Sequence, residues 1–439
     1  MSDQRNLNDL RTIPRAPGLD HTLALGREGY NFIINRCERL DTDIFETRLL
    51  LRRAVCMRGT AAAEIFYAGD RFTRVGAMPI SVLKLLQDYG SVQLLDGAAH
   101  RRRKRMFLAI GSPPEAARLA SFFAYEWSRS LERWEGAERV VLFDELRPML
   151  TRAVTAWAGV PLDEADVAPR TRELSEMVEG TGSVGPRNWR ALWLRRRTER
   201  WARGIIAAVR SGEIPARGDS ALGIIAAHRD LDGQQLDVKT AAVELLNVLR
   251  AVVAVARFIV FAAKALHEHP DARRRIAGGD RAYLDHFVQE VRRLSPFFSF
   301  IGGRVRRPFE WRGYAFPKGK WVILDLYGTN RDPRSWKDPA AFRPERFAEE
   351  PNRFEFVPQG AGDAALTHRC PGEELTVRLM KTAARLLLET MRYEVPDQDL
   401  SVDLARFPAL PKSGLVISRP RRIARPAEVP SHVAASSSL

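Results

Sequence analysis

Cys370 sits in the run Arg369-Cys370-Pro371-Gly372-Glu373, reached through Phe356-Val357-Pro358-Gln359-Gly360. An apolar helical pattern follows at once: Leu375, Leu379, Met380, Ala383, Ala384, Leu387 and Leu388. A thiolate placed there lies at the positive end of a helix dipole, which favours the anion and lowers a thiol pKa. Gly360, Gly362 and Gly372 let backbone approach a flat ligand closely. Those are the requirements of a thiolate ligand to haem iron. An inert buried cysteine in a turn is the alternative, and the loop alone does not choose between them.

Two segments stand upstream in a fixed order. Glu290 and Arg293 are spaced i,i+3 and share a helix face. Phe342-Arg343-Pro344-Glu345-Arg346-Phe347 comes next, then His368-Arg369-Cys370-Pro371-Gly372. A Glu-x-x-Arg pair alone is a common surface ion pair. The ordered set resembles the cytochrome P-450 superfamily, and the resemblance runs from about residue 14 to 418. That resemblance implies a mainly α fold, one large helical domain with small β-sheets. It also implies haem b held through Cys370, and a structural network of Glu290, Arg293 and Arg346 that locks the thiolate loop. One departure is informative. The superfamily's usual Phe seven residues before the cysteine is Asp363 here, and the loop Gly360–Thr367 is longer. This form resembles the bacterial fatty-acid peroxygenases.

The longest helical pattern contains Val243-Glu244-Leu245-Leu246-Asn247-Val248-Leu249-Arg250-Ala251 and has no Thr between Ala241 and Pro270. Arg250 has Leu246, Asn247, Val253 and Ala254 at i−4, i−3, i+3 and i+4, so no local acid neutralises it. A buried arginine needs a carboxylate; a distant side chain or a ligand supplies it. The resemblance assigns it to a fatty-acid carboxylate and makes Arg250 both substrate-binding and catalytic. Ala251 stands where that subgroup usually has proline, so a straighter helix is expected. Arg257 also lacks a local acid and receives no role. By the same resemblance, Gln93 lies above the haem and favours hydroxylation over decarboxylation. His100 with Arg103 or Lys104 would hold the haem propionates. Phe297, Phe298 and Phe300 would line the substrate channel. For each, a plain structural reading stays open: a loop Gln, a surface charge run, core aromatics.

The elements carrying these residues are legible as periodicity. Helices are expected over residues 115–135, 140–158, 237–268, 281–294 and 372–391, and strands at Ala62–Tyr67, Gly303–Val305 and Gly319–Leu324. The chain has 439 residues, 45% of them apolar, with no linker-like break, so one haem domain over 14–418 is expected. Residues 1–13 read as a flexible N-terminus and 419–439 as a disordered basic, Ser-rich tail. Three scattered cysteines exclude a disulfide framework. No signal peptide and no stretch of about 18 uncharged apolar residues is evident, so a cytoplasmic location is expected. The net charge of +15 comes with basic runs at 101–105, 195–197 and 419–422, read as solvated surface rather than a nucleic-acid site. The expected activity is hydroxylation of long-chain fatty acids at Cα or Cβ by hydrogen peroxide, with no redox partner. The alternatives are a reductase-dependent mono-oxygenase and a non-catalytic haem or lipid binder.

Overall fold

The computed structural model describes residues 11–423. Most of the expected flexible N-terminus and tail lies outside that span. At its margins the expectation is corrected. The Arg11 N–H donates to Gly313 O (2.8 Å). Residues 419–422 belong to the strand Val416–Arg422, which pairs antiparallel with Met391–Glu394.

The architecture is mainly α-helical with three small sheets. The largest sheet has five strands in the order Ile44–Leu49, Arg52–Arg58, Trp321–Asp325, Phe300–Val305, Phe72–Thr73. Arg52–Arg58 runs parallel to Trp321–Asp325, and the other pairs are antiparallel. The expected strands at Gly303–Val305 and Gly319–Leu324 fall in this sheet. The expected strand at Ala62–Tyr67 is instead the helix Thr60–Tyr67. Its three alanines are the best helix formers, and a short apolar run carries no period that separates helix from strand.

The main core is helical. Pro113–Trp134, Leu142–Ala158, Arg281–Leu294 and Glu373–Glu389 follow the expected segments closely. The helix of Arg250 runs through their centre, with Leu245, Leu246, Leu249 and Ile259 fully buried. Taken as one element, Val238–Glu268 is long and apolar enough to cross a membrane by length and composition, although Arg250 and Arg257 break any uncharged run of about 18 residues, and 94% of its apolar window is buried inside the protein. It is a core helix.

That helix is not one uninterrupted stretch. Val238–Ala254 and Ala256–Glu268 meet at Val255, whose N–H donates to Val252 O (3.1 Å). The i→i−3 bond is a single tightened turn. Replacing the subgroup's proline by Ala251 therefore does not yield an even helix; the irregularity lies four residues further on.

Candidate active site

The cysteine loop is held from behind by Arg281–Leu294. Glu290 and Arg293 are both fully buried. Arg293 Nε and Nη2 donate to the two Glu290 carboxylate oxygens at 2.7 and 2.8 Å. Glu290 Oε1 also accepts from Arg346 Nε (3.1 Å) and the Arg343 N–H (2.8 Å). Arg293 Nη1 reaches Asn330 O and Pro339 O, both at 2.9 Å. Trp336 takes Arg293 and Arg346 on its ring at 5.0 and 5.9 Å and packs with Phe347 and Phe356. The segment after Arg346 is thus clamped before the cysteine loop begins. Glu290→Ala leaves two cations without their carboxylate, at a cost of about 3–5 kcal/mol. The expected outcome is protein recovered largely without haem, read as the ratio of haem to protein absorbance. Fully haem-loaded Glu290→Ala protein overturns the structural assignment.

Arg292, passed over in the sequence, does as much. It is 1% exposed and donates to Gln359 Oε1 (3.0 Å) and to Glu373. Gln359 O in turn accepts the Cys370 N–H (2.9 Å). Arg369 Nε holds Glu373 from the other side at 2.6 Å. The two guanidiniums, led by Arg292, draw the Glu373 carboxyl down to about 2 against the effect of burial. The signal available was a second arginine beside the Glu-x-x-Arg pair.

Cys370 is deeply enclosed by protein yet keeps some accessible surface of its own. Burial pushes the free thiol up, against the Gly372 N–H and the Lys104 and Arg292 cations that favour the thiolate. Near Cys370 stand His100, Lys104, His368 and Arg74. The His100 and His368 rings are 4.0 Å apart. Burial, then the Lys104 charge, pushes His100 down to about 4. Burial pushes Lys104 down to about 8. Burial, then Arg74, puts His368 well below its usual value. Arg74 is 5% exposed, donates to Gly302 O (2.7 Å) and lies over the Tyr67 ring at 5.4 Å. Among the described residues none of these four is ion-paired to a carboxylate. Arg103, expected with them, is turned away: it binds Asp230 through Nε (3.0 Å) and Glu244 through Nη1 (2.7 Å). Consecutive positions on a helix lie roughly 100° apart, so Arg103 meets the central helix while Lys104 meets the thiolate loop.

Arg250 is 6% exposed and in no ion pair among the described residues. Nη1 donates to Leu85 O (3.1 Å) and Nη2 to Asn247 Oδ1 (2.8 Å). An arginine has five N–H donors, so most remain uncommitted. Burial, with the neighbouring Arg195 charge second, pushes the guanidinium down to about 9. Gln93 joins this group, its Oε1 accepting from Asn247 Nδ2 (3.3 Å). Arg257 proves to have a distant acid, Glu179, which also accepts from Arg406 at 3.1 Å. Arg195 corrects its assignment to a solvated run: it is 2% exposed, with Nε 3.7 Å from Glu199 Oε2 and Nη1 on the Met177 sulfur at 3.5 Å. The three phenylalanines are divided. Phe297 packs on Phe258 of the central helix at 4.9 Å and edge-on to Phe298 at 4.5 Å, Phe298 is 41% exposed, and Phe300, at the start of the strand Phe300–Val305, lies against Phe407.

The cytochrome P450 family model matches residues 279–417, the stretch from the Glu290 helix to the C-terminal strand. A solved structure of a variant of cytochrome P450SP alpha (CYP152B1) is 47% identical, with a TM-score of 0.90 over 92% of this chain and 100% of that one. The chain belongs to the cytochrome P450 family. Cytochrome P450EX alpha (CYP152N1), solved with myristic acid, is 39% identical, with a TM-score of 0.91 over 94% of this chain and 100% of that one. Among curated P450 proteins, berbamunine synthase of Berberis stolonifera is 36% identical over 121 residues, 26% of this chain and 24% of that one. The chain thus matches about a quarter of the length of the first such relatives (24% and 23%). A putative cytochrome P450 120 of Synechocystis sp. (strain ATCC 27184 / PCC 6803 / Kazusa) matches over 97% of its length at 26% identity.

P450 proteins carry haem on a cysteine thiolate, and the residues here fit one. Near Cys370 stand the cations Arg74 and Lys104 and the neutral rings of His100 and His368, and among the described residues none of the four is ion-paired to a carboxylate. Two propionates are the anions such a cluster lacks. Gly360, at φ +98°, has no room for a side chain: a Cβ there would lie 3.0 Å from both Arg369 Cα and Tyr67 Oη, so the glycine lets the loop pack closely on itself.

Proposed function

We propose that this P450 is a peroxygenase that hydroxylates long-chain fatty acids at Cα or Cβ with hydrogen peroxide and needs no redox partner. The observation that carries the proposal is Arg250: a buried guanidinium in no ion pair among the described residues, on a central helix with no threonine between Ala241 and Pro270. The solved relatives fit it, since one holds myristic acid and a variant of cytochrome P450 OleT, 33% identical, holds arachidonic acid.

Haem bound through Cys370 supplies the oxidising chemistry, with the thiolate favouring O–O cleavage. The balance is R–H + H2O2 → R–OH + H2O. Arg250 binds the fatty-acid carboxylate by charge-assisted bonds. That fixes which carbon lies at the reactive centre, so binding sets regiochemistry. The same carboxylate sits where peroxide must gain and lose a proton, and serves as the general acid/base that the helix does not provide. Gln93, whose Oε1 is taken by Asn247, keeps its amide N–H groups to donate to peroxide or water.

The test runs holoenzyme and myristate with hydrogen peroxide alone, beside a reaction with NADPH and a reductase. Hydroxymyristate is expected from the first at a rate the second does not raise. Product only with NADPH and reductase establishes the mono-oxygenase reading. No product from either establishes a non-catalytic binder.

A further inference from the structure

Glu244 is fully buried on the central helix, one turn before Asn247 and two before Arg250. Its carboxylate is completely engaged. Oε1 accepts from Arg103 Nη1 and from the Val92 N–H, both at 2.7 Å. Oε2 accepts from Asn247 Nδ2 at 2.8 Å. Asn247 then offers Oδ1 to Arg250 Nη2 at 2.8 Å.

The direction of the Asn247 amide follows from its neighbours. Arginine only donates, so the atom facing Arg250 is the oxygen. The Glu244 oxygen facing Asn247 accepts, so the atom facing Glu244 is the nitrogen. Both ends agree, and the amide has a single satisfied orientation. Glu244 also holds the backbone of Val92, the residue before Gln93. One carboxylate thus sets the direction of the Arg250 anchor and the placement of the turn that carries Gln93.

We propose that Glu244 is a positioning residue, which by fixing the Asn247 amide aims the free N–H groups of Arg250 at a carboxylate ligand. This rests on reading Arg250 as the fatty-acid anchor. Glu244→Gln keeps the shape and reverses the logic. The Gln oxygen must stay with two donors, Arg103 and the Val92 N–H, so its NH2 faces Asn247. Asn247 then turns its oxygen to Gln and its NH2 to Arg250, donor against donor. The guanidinium loses its side-chain anchor and keeps only Leu85 O.

The experiment titrates haem-loaded wild type, Glu244→Gln and Asp230→Asn with sodium myristate and, separately, with imidazole, following the haem absorbance. Asp230 is the other acid on Arg103 and touches neither Glu244 nor Asn247. Its variant therefore disturbs the same cation without turning the amide. The expected result is a dissociation constant for myristate raised about tenfold or more in Glu244→Gln, with imidazole affinity unchanged and Asp230→Asn like wild type. Wild-type myristate affinity in Glu244→Gln overturns the proposal. So does an equal loss for myristate and imidazole, which marks general disturbance. If Glu244→Gln takes up no haem, Asn247→Leu asks the same question, since it removes the anchor and leaves Glu244, Arg103 and Val92 joined. Unaltered myristate binding there also overturns the proposal. Failure of wild type itself to bind myristate is a distinct result and overturns the fatty-acid reading on which the proposal stands.

Discussion

Cys370→Ser removes the long-wavelength absorbance of the reduced carbon-monoxide complex that marks thiolate-bound haem. The loop that presents the sulfur is held by the Arg292–Gln359–Cys370 chain and the Arg369–Glu373 bridge, none of which uses the sulfur. The variant therefore folds, and haem retention falls to the Arg74, His100, Lys104 and His368 cluster. Hydroxylation with peroxide is expected to drop below detection together with the band. An unchanged spectrum in Cys370→Ser shows the iron ligand to be another residue. The measurement is the reduced, carbon-monoxide difference spectrum beside a haem assay.

Arg250→Ala lowers peroxide-driven turnover of myristate by roughly 10²–10⁴-fold, the range a positioned acid/base contributes, and leaves haem bound. Loss of the guanidinium removes the anchor and, with it, the carboxylate that handles the peroxide proton. Two further results belong to the same argument. Arg250→Lys keeps a charge but not the planar fork, so weak activity with blurred Cα/Cβ selectivity is expected. Wild type oxidises small substrates lacking a carboxylate only when a short carboxylic acid is added, because that acid occupies Arg250 and restores the proton-handling group. Unchanged fatty-acid turnover in Arg250→Ala sinks the carboxylate mechanism and returns the reductase-dependent reading.

The residues legible in the sequence are those whose meaning is local. The i,i+3 pair Glu290–Arg293 is present as a buried ion pair, Cys370 stands just before the helix Glu373–Glu389, and Arg250, whose helix neighbours offer no acid, is in no ion pair among the described residues. What escaped depends on distance along the chain. Arg257 finds Glu179 at a separation of 78 residues, and Arg103 finds Asp230 at 127. Arg103 and Lys104 are consecutive and face opposite structures, which a run of basic letters cannot disclose. Arg74 reaches the cysteine side from the end of the strand Phe72–Thr73, and no spacing relates it to His368. The run Ala62–Tyr67 was misread as a strand because a short apolar segment carries no usable period.

The helix Gly97–Ile110 turns His100 and Lys104 towards the thiolate loop and Arg103 towards Glu244. One rigid rod therefore enters both free energies, that of seating the haem and that of arming Arg250. Thermodynamic linkage makes such a coupling reciprocal. On the fatty-acid reading proposed above, any factor by which bound haem tightens the hold on a fatty acid is the factor by which the fatty acid tightens the hold on haem, and such a ligand would guard against loss of the prosthetic group.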